Sequence, residues 1–190
     1  MSTLTLKELS APTGEVIKIA AGKTLDLKSQ GTTTLPTGSV LQVVSATKTD
    51  TFTLSSTTFT TVTGLTVNIT PASTSSKILV SINVNGSQDV GVNDSFVAIH
   101  RDSTPIGVGA ASGSRTRNSF ILNSSQTGWS NNGSMTTLDS PSTTSAITYS
   151  VKVAARNSGT LFINRSEQNG NDTSGAGSQA SSITVMEIQG

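Results

Sequence analysis

Cysteine is absent from this 190-residue chain, so it can build neither a disulfide framework nor a thiolate metal site. Charge is scarce. Only 12% of the residues are Asp, Glu, Lys or Arg, about half the usual share. The 12 basic and 11 acidic residues leave a net charge of +1, which is no electrostatic footprint for nucleic acid. Aromatic residues make up 4%, too few for a base-stacking platform. No apolar run approaches the roughly 18 residues of a membrane-spanning helix, so no membrane insertion is expected. The opening "MSTLTLKELSAPTGEV" lacks the charged-then-apolar order of a signal peptide.

Ser and Thr fill the gap and supply about a third of the chain. Low charge with abundant small polar residues can mark disorder. Here the apolar residues are β-branched and regularly spaced, and Thr, Val and Ile suit a pleated, half-buried surface. The solvent faces are written in Thr, Ser and Asn rather than Lys and Glu, a style common in extracellular and virion β proteins.

From residue 40 onward the pattern is strands. "GLTVNITP" puts Leu65, Val67 and Ile69 on one face. "KILVSINVNGS" does the same with Ile78, Val80, Ile82 and Val84, and its Asn-Gly pair predicts a turn. "SFVAIHRDSTPIG" reads as a strand, a turn and a short return. In "AITYSVKVAARNSGTLFINRS", Ile147, Tyr149, Val151 and Val153 face one way, and "RNSG" predicts a hairpin into "TLFINR". Eight to ten short strands with turn signals between them predict an all-β protein, a jelly-roll-like antiparallel β-sandwich over residues 40–190. Residues 1–39 read differently. Their apolar set (Leu4, Leu6, Leu9, Val16, Ile17, Ile19, Leu25 and Leu27) is too small for a core. It suits an extended arm laid along a partner.

Candidates for chemistry are few. His100, the one histidine, sits in "AIHRD" with no evident nucleophile and orienter, so no catalytic residue is assigned. Asp89, Asp94 and Asp102 flank one loop but lack calcium-loop spacing; no metal or cofactor is expected. "GVGAASGSR" matches neither dinucleotide nor phosphate-loop patterns. Arg115 and Arg117 follow it and have the planar fork that grips a carboxylate or an acidic sugar. Trp129, the single tryptophan, lies in a polar loop. It suits stacking on a sugar, or plugging the end of the sandwich.

Several stretches taken together resemble a domain of marine bacteriophage virion proteins, of the tail-fibre-like and head-decoration type. They are "STSSKILVSINVNGS", "VAIHRDSTPIG", "MTTLDSPSTTSAITYSVKV", "GTLFINRS" and the terminal "ASSITVMEI". "APTGEVIKIAAGKTLDL" resembles the lead-in found before such domains. The resemblance implies a tumour-necrosis-factor-like trimeric sandwich on the surface of a phage particle. This chain has no large tail-binding domain and no extended shaft, which favours a head decoration or a short appendage.

The last strand fits that picture. Ile183, Val185, Met186 and Ile188 are apolar on both parities. In a trimeric sandwich one face of such a strand meets its own core and the other meets the threefold neighbours. The alternative is a central strand in a monomer whose outer face is covered by the arm. The expected function is therefore a non-enzymatic virion structural protein: a homotrimer docked to capsid or tail proteins by its arm and contacting a host surface glycan. The alternative is a carbohydrate-binding, receptor-recognition module of a tail fibre. An enzyme would need paired carboxylates in a cleft, and the glutamates are scattered along the chain.

Overall fold

The structure, a computed structural model, describes residues 21–22, 35–89, 94–123, 130–157, 159–167 and 177–190. The eight apolar residues from Leu4 to Leu27 expected to dock the arm lie outside the described residues, as does Trp129. The chain divides into Met1–Leu35 and Pro36–Gly190. The second unit begins a little before the boundary expected at residue 40. The physical reason is a pair of backbone bonds: Gly38 N–H donates to the Gln189 carbonyl at 2.8 Å, and Gln189 N–H donates to the Ser39 carbonyl at 2.8 Å.

This unit is an all-β antiparallel sandwich, with no helix among the described residues. Its strands are β1 (Val40–Lys48), β2 (Phe52–Leu54), β3 (Thr60–Ile69), β4 (Lys77–Gln88), β5 (Asp94–Arg101), β6 (Thr104–Ile106), β7 (Phe120–Asn123), β8 (Asn131–Asp139), β9 (Ile147–Ala155), β10 (Leu161–Ile163) and β11 (Ser181–Ile188). One sheet runs β1-β11-β4-β10-β2, with β8 on the other edge of β4. The second runs β3-β9-β5-β6, with β7 also on β5. Of all these pairings only β5–β6 joins neighbours in the chain.

Alternation decides what is buried. Ile78, Val80, Ile82 and Val84 of β4 face Leu65, Val67 and Ile69 of β3 and Tyr149, Val151 and Val153 of β9 in one core. Each such residue contributes about 1.5–3 kcal/mol by leaving water. Two local expectations are corrected. The Asn85-Gly86 pair makes no turn, and β4 runs straight through it to Gln88. Gly86 is small because a Cβ there would come within 2.8 Å of the Phe162 carbonyl. Nor does "RNSG" make a hairpin. It carries the chain from β9 in one sheet to β10 in the other, where Leu161 and Ile163 drop into the core.

Two polar hubs fix the register of β11. Asn164, nearly fully buried with φ 64°, donates from Nδ2 to the carbonyls of Lys48 (2.8 Å) and Asp50 (3.0 Å). Its Oδ1 accepts from the Ser181 hydroxyl at 2.6 Å. At the other end of the strand, the buried Glu187 carboxylate accepts from the Gln42 amide (2.6 Å) and the Ala72 N–H (2.7 Å). Burial alone would raise its pKa. The Ser76 side chain, the Gln42 amide and the N–H groups of Ala72 and Ser73 outweigh burial and hold it below its ordinary value. The stabilisation from this carboxylate is therefore present above the unfolded-state pKa and is lost as pH falls through the lower folded-state value. Glu187→Gln is expected to be less stable than the parent at neutral pH and to lose less on acidification. Urea titrations at a series of pH values check this, and parallel pH profiles would remove Glu187 from the account.

Gly133 of β8 lies under the Phe120 ring, which a Cβ would overlap. Gly133→Ala is expected to cost about 1–3 kcal/mol by overpacking. Adding Phe120→Ala should remove most of that clash, giving a non-additive double-mutant cycle in denaturant titrations.

Candidate functional site

Two surfaces hold the residues of interest. The first is the outer face of the sheet that contains β11. Ile183 and Val185 are fully buried in the chain's own core, so they do not face outward. Met186 and Ile188 point the other way and are half-buried. The registers carry Met186 into a row that crosses four strands: Val43 of β1 opposite Met186, Met186 opposite Leu79 of β4, and Leu79 opposite Leu138 of β8. The two ends of the row are exposed, Val43 at 55% and Leu138 at 58%. Beside it, Val40, also exposed, pairs with Ile188.

Farther along the same face the rows turn polar. Ser45, Thr184, Ser81 and Thr136 lie side by side, and Ser81 and Thr136 bond through their hydroxyls at 3.1 Å. Then come Asn83, Asn85 and Asn132, tied by amide bonds of 2.8–3.3 Å. On the outward positions of β1, β4, β8 and β11 the one charged side chain is Lys77, at the rim, bonded to the Ser140 hydroxyl at 2.9 Å. A solvated sheet face ordinarily carries interspersed Lys and Glu. This one does not.

The second surface is a groove of about 640 Å³ at one end of the β5 sheet. Phe96 of β5 and Ile121 of β7 are register partners and form its apolar side, with Ile121 47% exposed. Arg115 enters from the β6–β7 loop and Arg156 from the turn after β9. Asp94 also lines the groove, paired with the Arg156 guanidinium and accepting from the Asn123 amide at 2.5 Å. The loop is pinned to β5: Ser119 N–H donates to the Val97 carbonyl (2.8 Å), and Ile99 N–H donates to the Ser119 hydroxyl (3.1 Å). Arg117 does not enter the groove. Its Nε donates to the Gly109 carbonyl at 2.7 Å and folds the loop back on itself. Arg115 has no side-chain hydrogen bond or ion pair among the described residues. The structure thus separates the two arginines that the sequence placed together. It also adds Phe96 and Arg156, which no motif singled out, and gives Asp94, weighed above only as a metal ligand, the role of partner to Arg156.

His100 is buried against Phe59, with ring centroids 6.0 Å apart. Burial and the nearby Lys152 charge lower its pKa, so it is held neutral. Its Nδ1 has no hydrogen-bond partner among the described residues. Asp102 sits in a left-handed turn and accepts from the Thr148 N–H at 3.0 Å, while Asp94 is committed to Arg156. Among the described residues no cluster of three His, Cys, Asp or Glu side chains could hold a metal ion. Tyr149 is raised far above its ordinary pKa, first by burial and then by donating to Asp139 at 2.7 Å. Asp139 also takes the Arg101 guanidinium through both oxygens (2.8 and 2.9 Å), so this triad clasps the two sheets together.

No protein-family model matches the chain, and no curated protein matches it either.

Proposed function

We propose that this chain is a non-enzymatic structural protein of a bacteriophage particle, a homotrimeric surface appendage of the fibre or capsid-decoration type, docked to other virion proteins through residues 1–39. The observation that carries this reading is the outer face of the β1-β11-β4-β8 layer, whose one charged side chain is Lys77 at the rim and whose apolar row Val43, Met186, Leu79 and Leu138 is exposed at both ends. Around a threefold axis a face of this kind packs against neighbouring copies without like-charge repulsion, and its apolar end leaves water on association. The motif resemblance to virion sandwich domains supports the particle assignment.

The test has two parts. Light scattering of the purified chain at micromolar concentration is expected to give three times the mass of one chain, and a monomer would remove the trimer. Imaging of labelled particles is expected to place the protein on the surface of head or tail. Removal of residues 1–35 should leave a folded sandwich that no longer joins the particle.

A second reading, a receptor-recognition module for a surface glycan, is favoured by one feature: the groove lined by Arg115, Arg156 and Phe96.

A further inference from the structure

The groove between the β6–β7 loop, β7 and the turn after β9 has the parts of a ligand site, and their chemistry is selective. Its volume, about 640 Å³, lies within the range of small-molecule sites. Its two guanidiniums and one carboxylate leave a single uncompensated positive charge. That charge is localised. Arg156 is paired with Asp94, whereas the Arg115 fork is unengaged among the described residues. A guanidinium with no partner in a groove matches a carboxylate through two parallel N–H bonds. A doubly charged phosphate would leave half its charge unmatched.

The remaining walls specify what carries the carboxylate. Phe96 and the half-exposed Ile121 offer an apolar surface for the C–H face of a ring. Asn118 and Asn157, also on the lining, offer amide groups to hydroxyls. Asn118 already spends one N–H on the Thr116 carbonyl at 2.9 Å, which fixes its amide and turns its oxygen to accept. Arg156 has donors left over after Asp94. One carboxylate, one apolar ring face and several hydroxyls describe an acidic pyranose.

We infer that this groove binds a carboxylate-bearing sugar of the uronic or sialic acid class, with Arg115 gripping the carboxylate and Phe96 and Ile121 supporting the ring. The inference rests on the receptor-recognition reading and does not require a trimer. The bonds of Ser119 and Arg117 pin the loop before a ligand arrives, so the ordering cost of binding falls mainly on the Arg115 side chain.

The experiment is a titration of the full-length protein by calorimetry and saturation-transfer NMR. The probes are methyl glucuronide, methyl galacturonide and methyl N-acetylneuraminide, with methyl glucoside as the neutral control and inorganic phosphate as the anion control. At least one acidic sugar is expected to bind at least about tenfold more tightly than methyl glucoside and phosphate. Arg115→Ala should weaken it by about tenfold to a hundredfold, with Arg115→Lys between the two, while the thermal midpoint is unchanged because Arg115 is exposed. Binding should weaken as salt rises. The inference is overturned if none of the acidic sugars binds at millimolar concentration, if the glucoside or phosphate binds as well, or if Arg115→Ala retains full affinity. A trimer that binds none of the sugars would overturn this inference and leave the structural role standing. A monomer that binds one would do the reverse.

Discussion

Met186→Asp is expected to turn the proposed trimer into folded monomers. Met186 sits mid-row between Val43 and Leu79 on an outer face, so in a single chain the new carboxylate reaches water and the core is untouched. In the proposed trimer the same carboxylate would be desolvated, and threefold symmetry would introduce it three times. Losing the burial of one such side chain costs about 1.5–3 kcal/mol at each copy, and burying an unpaired charge costs more. The sum exceeds what a small interface supplies. Sedimentation velocity should show a single species of one-third the parent mass, with an unchanged far-ultraviolet spectrum. Ile183→Asp is the contrast: that side chain is wholly inside, and its replacement should unfold the protein outright. If Met186→Asp stays trimeric, the interface lies elsewhere on the sandwich.

Asn164→Ala is expected to be the most destabilising polar substitution within the sandwich, by about 3–5 kcal/mol. It takes the Asn164 side chain from the buried Lys48 carbonyl and Ser181 hydroxyl, at about 1–1.5 kcal/mol for each, and from the part-buried Asp50 carbonyl, while the Ser181 hydroxyl still accepts from the Asn85 N–H. It also places alanine at φ 64°, where asparagine is tolerated and a plain β-carbon costs about 1–2 kcal/mol. Asn164→Gly removes the same hydrogen bonds but not the backbone freedom. The difference between the two variants in urea midpoints therefore isolates the strain. Loss of under 1 kcal/mol in Asn164→Ala would mean that water replaces the side chain and that β11 is held by its ladder alone.

The fold was legible where burial follows alternation. The parity of β4 and β9 matches the core directly, and in β11 Ile183 and Val185 are the residues that enter it, while Met186 and Ile188 lie on the outer face. Local turn signals were less informative. Asn85-Gly86 has hairpin chemistry, yet its glycine answers a tertiary demand, the approach of the Phe162 carbonyl. The "RNSG" stretch does connect β9 to β10, but no local rule says whether a connection returns to the same sheet or crosses to the other. The groove was half legible. Arg115 was singled out by its side chain, whereas Asp94 and Arg156 lie 62 residues apart and meet because β5 pairs with β9. Phe96 carries no signal of its own in the sequence. Its parity puts it on the outer face, and only the pairing with β7 sets it beside Ile121.

The place of β11 between β1 and β4 has a consequence for how the molecule is made. During synthesis β1 emerges early, and its partner comes last. Until Ser181–Ile188 is available, β1 and β4 each present an open row of backbone donors and acceptors, the kind of edge that pairs with whatever chain is near. A chain cut short before Ser181 also lacks Met186 and Ile188, so it cannot complete the outer face. The strand that closes the sheet also carries the apolar row of the outer face, so in the proposed trimer an incomplete copy would lack both its sheet partner and its contact surface.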